Sequence, residues 1–312
     1  MKEINRLTEG AVLLAAFAVF LLITLYIPAV GVVMNLFLSL PFILYSAKYG
    51  WKPTAVFTLG ALLLSLVIGS LLAIPLTLAF GLTGIVMGST IRIGKSRLQI
   101  YIAGSLAFLA TMLIQYVVAV AFFQFNFIEQ VMDMLQESVD LSISMLENIG
   151  QPANKRVIAE FHNTLELFET IMPSMFVLIA FTTVFLIQLV SFPILNRLGI
   201  KVVKWKPLRE WTLPKSILWY YLISMVASMF IQPAEGTYWY VALANLLYVL
   251  QILIILQGIS FLFYVSYIKG YSMAIPVTGV ILSLLIPFIL YIVRILGIID
   301  LGFDLRKRIV KK

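Results

Sequence analysis

The chain has 312 residues, of which 62% are hydrophobic and 12% charged, with a net charge of +8, one histidine and no cysteine. Soluble chains carry about 25% charged residues, so this composition excludes a water-soluble globular domain. Several uncharged runs reach the roughly 20 residues that a helix needs to cross a bilayer.

The apolar runs are continuous and do not alternate, which argues for helices over a transmembrane barrel. Without cysteine there is no disulfide, thiolate nucleophile or zinc–cysteine site. The positive charge reads as topology-setting loop charge, not as a nucleic-acid footprint.

Charges and prolines cut the chain into elements. The first helix runs over 10–26, longer than a signal-peptide core and without a cleavage pattern, so it is expected to be retained. A second over 32–47 runs into an elbow holding Lys48, Gly50, Lys52 and Pro53. A third covers 54–70, and a short fourth, 74–91, carries Gly81, Gly84 and Gly88. Residues four apart such as Gly84 and Gly88 let a neighbouring backbone approach closely. A fifth helix covers 98–123, after the basic loop RIGKSR.

A polar insert, 126–170, holds eight of the fourteen acids. Its apolar positions fall at helical spacing in two stretches separated by a GQP break at Gly150–Pro152, so it reads as an amphipathic helical hairpin. A stripe with Leu135, Phe161, Leu165 and Phe168 would make it a lid over a cavity, a partner dock, or a hairpin that lies on the outer surface or extends the sixth span. His162, alone and without cysteine nearby, makes a poor metal site.

A sixth span covers 172–195. A basic loop with Lys201, Lys204, Lys206 and Arg209 interleaved with Trp205 and Trp211 suits anionic headgroups, or simply sets topology. Three apolar runs follow, at 217–231, 238–268 and 273–299.

The fold class is therefore all-α: a polytopic helical membrane protein with about eight or nine transmembrane helices and an external hairpin. The expected domains are 1–196, a six-helix bundle with the insert, and 197–312.

Loop charge orients the chain. The loops with Lys48 and Lys52, with Arg92, Lys95 and Arg97, and with 197–215 should be cytoplasmic, the N-terminus with them, and the insert outside. The C-terminal part leaves alternatives. If all three later runs span, the tail RKRIVKK lands outside, against the charge rule. If 217–231 is interfacial or re-entrant, the tail falls inside and Lys269 alone is misplaced; a break at Pro287 with Arg294 snorkelling would also help. Eight crossings plus one irregular segment is the expectation.

Polar groups within spans tend to face a bundle interior. Asn35, Gln115, Gln188, Asn245 and Gln257 are the candidate pocket residues, with Gln251 and Arg294 beside them; each amide lines a pocket or bridges helices. None of these groups is a carboxylate, and the first five spans hold none, so a carboxylate relay for ion-coupled transport is missing. No phosphate-binding loop, H-E-x-x-H or G-x-S-x-G motif occurs. The chain is expected to be no enzyme and to need no cofactor.

Two resemblances add to this reading. Ala11, Ala15 and Ala18 on the first helix, the elbow from Pro41 to Gly50 with Lys52, and the glycine-rich fourth helix make residues 10–125 similar to the S components of energy-coupling factor transporters. That resemblance implies a first helix contacting a transmembrane coupling subunit, and external loops closing over a vitamin or metal site. The whole chain, with LQGISFLFYV from Leu256 and LGIIDLGFDLRKR near the end, resembles the YybS-like family of uncharacterised multi-pass membrane proteins. Beyond the bilayer, the partners implied are a coupling subunit or other membrane protein and an unknown small molecule. The expected function is binding a small solute or membrane partner, with any transport driven by a separate motor. The alternative is a non-transporting scaffold or regulatory protein.

Overall fold

The computed structural model describes residues 2–148 and 155–310, and every regular element among them is helical. Among the described residues six stretches are long and apolar enough to cross a membrane: Asn5–Tyr26, Pro28–Tyr49, Trp51–Arg92, Arg97–Phe123, Ile158–Arg197 and Tyr238–Ile268. Shorter apolar helices occupy Lys215–Ile231 and Ala274–Leu285. The chain divides into two compact units: 1–149 with 175–204, and 150–174 with 205–312.

In the first unit the helices are α1 (Lys2–Tyr26), α2 (Pro28–Met34), α3 (Leu40–Tyr49), α4 (Trp51–Gly69), α5 (Ala73–Arg92), α6 (Arg97–Phe123), α7 (Phe127–Asn148) and the second half of α8 (Lys155–Arg197). The expected second helix is thus two, α2 and α3, joined by a 3-10 turn at Asn35–Phe37. Burial centres on α3, whose residues from Leu40 to Ser46 are all buried.

In lipid, burial gains little from water release, so close backbone approach must supply the packing. The glycine face of α5 does this as its spacing predicts. A Cβ on Gly84 would sit 2.7 Å from the Ser39 carbonyl oxygen, and one on Gly88 would sit 2.5 Å from that of Ile43. Phe42 lies against Gly81 and Gly84 and sits edge-on between Phe17 and Phe57, at 5.3 Å from each.

The turns collect the basic residues at one end of this unit. Gly50, at φ 77°, turns α3 into α4 where a side chain would strike the Arg92 guanidinium. Glu9 pairs with Lys48 and accepts from the Tyr49 hydroxyl at 2.5 Å. Helix α1 therefore begins before residue 10, and Glu9 is a span carboxylate that the sequence reading places outside the helix. Arg97, at the start of α6, donates to the Val203 carbonyl at 3.1 Å. Towards the opposite end the turns after α1 and α4 carry no charge, and the Tyr26 hydroxyl donates to the Ile68 carbonyl there at 2.9 Å.

The second unit holds the first half of α8, then α9 (Lys215–Ile231), α10 (Tyr238–Ile268), α11 (Ala274–Leu285), α12 (Pro287–Phe303) and α13 (Leu305–Val310). Helix α9 is a continuous helix running antiparallel to α10: Leu213 meets Gln257 near its start, and Ser228 and Gln232 lie beside Ala244 and Tyr240 near its end. The last run breaks at Pro287, one of the alternatives the sequence leaves open.

Helix α11 descends along α10, Gly279 beside Leu262, and ends at the extended residue Ile286. Pro287 then starts α12 beside Gln251 and Ile255, near the middle of α10. From there α12 runs parallel to α10, with Ile254 facing Gly297, Gln257 facing Asp300, and Tyr264 facing the Arg306 backbone. The two short helices form a helical hairpin against α10. Lys269 and the basic tail consequently lie at the same end of α10.

Candidate functional site

Helical spacing aligns Gln257, Ser260 and Tyr264 on one face of α10, where α12 makes its closest approach. A Cβ on Gly258 would lie 2.0 Å from the Val293 carbonyl oxygen, and one on Gly297 2.1 Å from that of Ile254. Those two glycines let the backbones touch, and the contact delivers Asp300 to Gln257. Asp304, in the left-handed region at φ 48°, ends α12 and folds α13 back over it. That reversal brings Arg306 to Asp300.

The result is a buried polar cluster. Arg306 Nε donates to Asp300 Oδ2 at 2.9 Å, with side-chain exposures of 13% and 3%. Gln257 Nε2 donates to the same oxygen at 2.5 Å, while its Oε1 accepts from the Leu213 amide at 2.9 Å. The other guanidinium nitrogens reach the Arg209 carbonyl at 2.8 Å and Ser260 Oγ at 3.0 Å. Ser260 Oγ lies 2.7 Å from both the Leu208 and Trp211 carbonyls, with one proton to share. Arg209 packs over the Tyr267 ring at 3.8 Å. Outside the cluster, Lys215 bonds Asp304 at 2.6 Å and holds that carboxyl below its usual range.

Chemically, this is a clamp. The carboxylate, guanidinium and amide are mutually satisfied, and their lone pairs and protons hold residues 208–213 against α10. Buried charge retained this way costs desolvation, and what it yields is a fixed arrangement of Lys206, Arg209, Lys215 and the tail. Asp300 and Arg306 lie just beyond the point where the sequence reading closes the last run; the pattern IIDLGFDLRKR, an acid followed by a basic residue six later, was their only local sign.

The other candidate amides are distributed across both units. Gln188, fully buried, accepts from Arg97 Nε at 3.0 Å, and Arg97 stacks on Phe192 at 4.0 Å; Gln188 Nε2 has no partner. Gln115 bonds the Pro75 carbonyl at 2.8 Å. Asn35 sits on the 3-10 turn with Oδ1 buried and unpaired. Asn245 accepts from the Ser174 amide at 2.8 Å and donates to the Thr170 carbonyl at 2.7 Å, the two groups that an unbroken helix would bond to each other. Asn245 thus bridges α10 to α8 next to Pro173, whose ring nitrogen has no N–H to give. Four of the five amides thus make helix or loop contacts.

On α1, Phe17 and Leu21 face inward, while Ala11 and Ala15 are exposed and Ala18 is half-buried. In the insert, Leu165 is buried and Phe161 half-buried, whereas Leu135 and Phe168 stay largely exposed. The GQP break and the side chain of His162 lie outside the described residues.

A family model described as "Predicted membrane protein (DUF2232)" matches residues 15–301. Over 310 residues the chain is 28% identical to "Uncharacterized protein YybS" of Bacillus subtilis (strain 168), covering 99% of this chain and 100% of the relative. No solved structure matches.

Proposed function

The chain belongs to the DUF2232 family of predicted membrane proteins, and on that premise we propose a membrane-embedded docking subunit, S-component-like in its first helices and without catalysis of its own. Its basic ends and N-terminus face the cytoplasm, and the insert faces outward, following the loop charges.

The observation that carries this reading is the state of α1. One face is packed against α3 through Phe17 and Gly10, while Ala11 and Ala15 stand open among exposed Leu7, Val12 and Val19. A small-residue face in lipid suits a helix partner, because it allows close backbone approach. Docking ranks ahead of solute capture because the span amides are mostly engaged. In addition, two surface voids, of about 120 and 170 Å³, fall below the roughly 300–1,000 Å³ of small-molecule clefts. A transport role would then come from the partner, which supplies the motor.

Photocrosslinkers placed at Ala15 and at Val67 on α4 test this in native membranes. A discrete crosslinked protein at residue 15, absent at 67 and lost on Ala11→Leu, is expected. Equal crosslinking at both positions, or none at residue 15, would overturn the docking reading.

A further inference from the structure

The helical hairpin holds one charged side chain that the clamp does not use. Arg294 lies seven residues past the turn on α12, its guanidinium 4.6 Å from the Tyr291 ring. Among the described residues no acid or carbonyl meets it, and the Gln251 amide opposite also has no side-chain bond. The two line a half-open surface void of about 120 Å³ together with Ile255, Pro287, Leu290 and Tyr291. An arginine in an apolar span needs a counter-charge or water, and every nearby acid is committed: Asp300 to Arg306, Asp304 to Lys215.

We infer that Arg294 and Gln251 form a binding site for an oxyanion, a carboxylate or phosphate group, at the turn of the hairpin. The guanidinium matches such a group with two parallel N–H donors, and Gln251 adds an amide donor from α10. The size fits the group: a water occupies about 30 Å³, so the void takes a phosphate or carboxylate head but not a nucleotide. The ring of Tyr291 covers the guanidinium and keeps it oriented. Such an anion would be carried by a free solute or by a lipid, and the chemistry of recognition is the same for both. The site does not depend on the docking face of α1.

The test uses the full chain in detergent and in phosphatidylcholine nanodiscs with or without phosphatidylglycerol. Thermal unfolding is followed against sodium phosphate, sodium acetate and sodium chloride at equal ionic strength, and retained lipid is read by native mass spectrometry. Wild type should be stabilised by phosphate or acetate over chloride, or should retain phosphatidylglycerol over phosphatidylcholine. Arg294→Gln should weaken that preference by about tenfold or more. Stabilisation by the soluble anions assigns a free solute, and selective retention alone assigns a lipid. Should Arg294→Gln fail to fold, Gln251→Leu, which leaves the charge in place, must still weaken the preference severalfold. If no probe distinguishes wild type from the variants, or all show the same preference, the site does not exist.

Discussion

Removing the carboxylate of Asp300 should loosen the basic end of the second unit. Arg306 would lose its one charged partner yet keep two neutral acceptors, Arg209 O and Ser260 Oγ, while Gln257 Nε2 would lose its bond. Breaking a buried pair by deleting one member costs about 3–5 kcal/mol. The two surviving bonds put Asp300→Ala near the lower figure, about 3 kcal/mol. Asp300→Asn keeps an oxygen for both donors and should cost about half as much. The double variant Asp300→Leu with Arg306→Met removes both charges and should be more stable than Asp300→Ala alone. Thermal unfolding in detergent measures the global effect; tryptic cleavage after Arg209 measures release of the clamped loop. If Asp300→Ala changes neither, or if the double variant is no better than the single, the cluster is not the clamp described here.

Glycine substitutions should divide by location: Gly258→Ala and Gly88→Ala should each cost several kcal/mol in unfolding measurements, since carbonyl oxygens lie 2.0 and 2.5 Å from the added carbon. Gly279→Ala, whose nearest neighbour is 4.0 Å away, should be neutral or stabilising by up to about 1 kcal/mol; equal losses at all three would refute the close-approach argument. The chain has no cysteine, so single cysteines report sidedness cleanly. Ser96→Cys and Ser272→Cys should label from the cytoplasm and Ser138→Cys and Glu235→Cys from outside; labelling of Ser272→Cys from outside would eliminate the oriented hairpin.

Local patterns carried the parts of the fold that depend on one element at a time. Gly84 and Gly88 announce a tight helix contact because spacing alone puts them on one face. Loop charge likewise groups Lys48, Arg92 and Arg97, whose turns the structure places at one end of the first unit. Contacts set by two distant elements were not legible. Asp300 reads as the charge that ends a span until α13 turns back and supplies Arg306. Gln257 reads as a polar span residue, but its partners come from residue 213 and residue 300. Asn245 gives no hint that it bonds to α8, because its partners Thr170 and Ser174 lie about 70 residues away in the chain. The same nonlocality hid the split of the 32–47 run, where Asn35 opens a 3-10 turn.

The C-terminal charges pose a problem that the observed chain path accommodates. Lys269 follows α10 and the tail follows α12, so a last run that simply crossed would put them on opposite sides. Helix α11 has 12 residues, about 18 Å at 1.5 Å each, too short for about 30 Å of hydrocarbon. At its end Ile286 is extended and Pro287 begins the next helix. Proline suits a turn set in apolar surroundings, because it brings no N–H that would be left without a partner there. Ile286 meanwhile donates back to the Leu282 carbonyl at 2.9 Å. Glycines 258 and 297 then hold the returning helix against α10, and Arg306 locks it to the loop at the level where it leaves the hairpin. Charge distribution, the 12-residue length of α11 and the proline break are three separate features, and a chain that returns to the end from which it entered accommodates all of them.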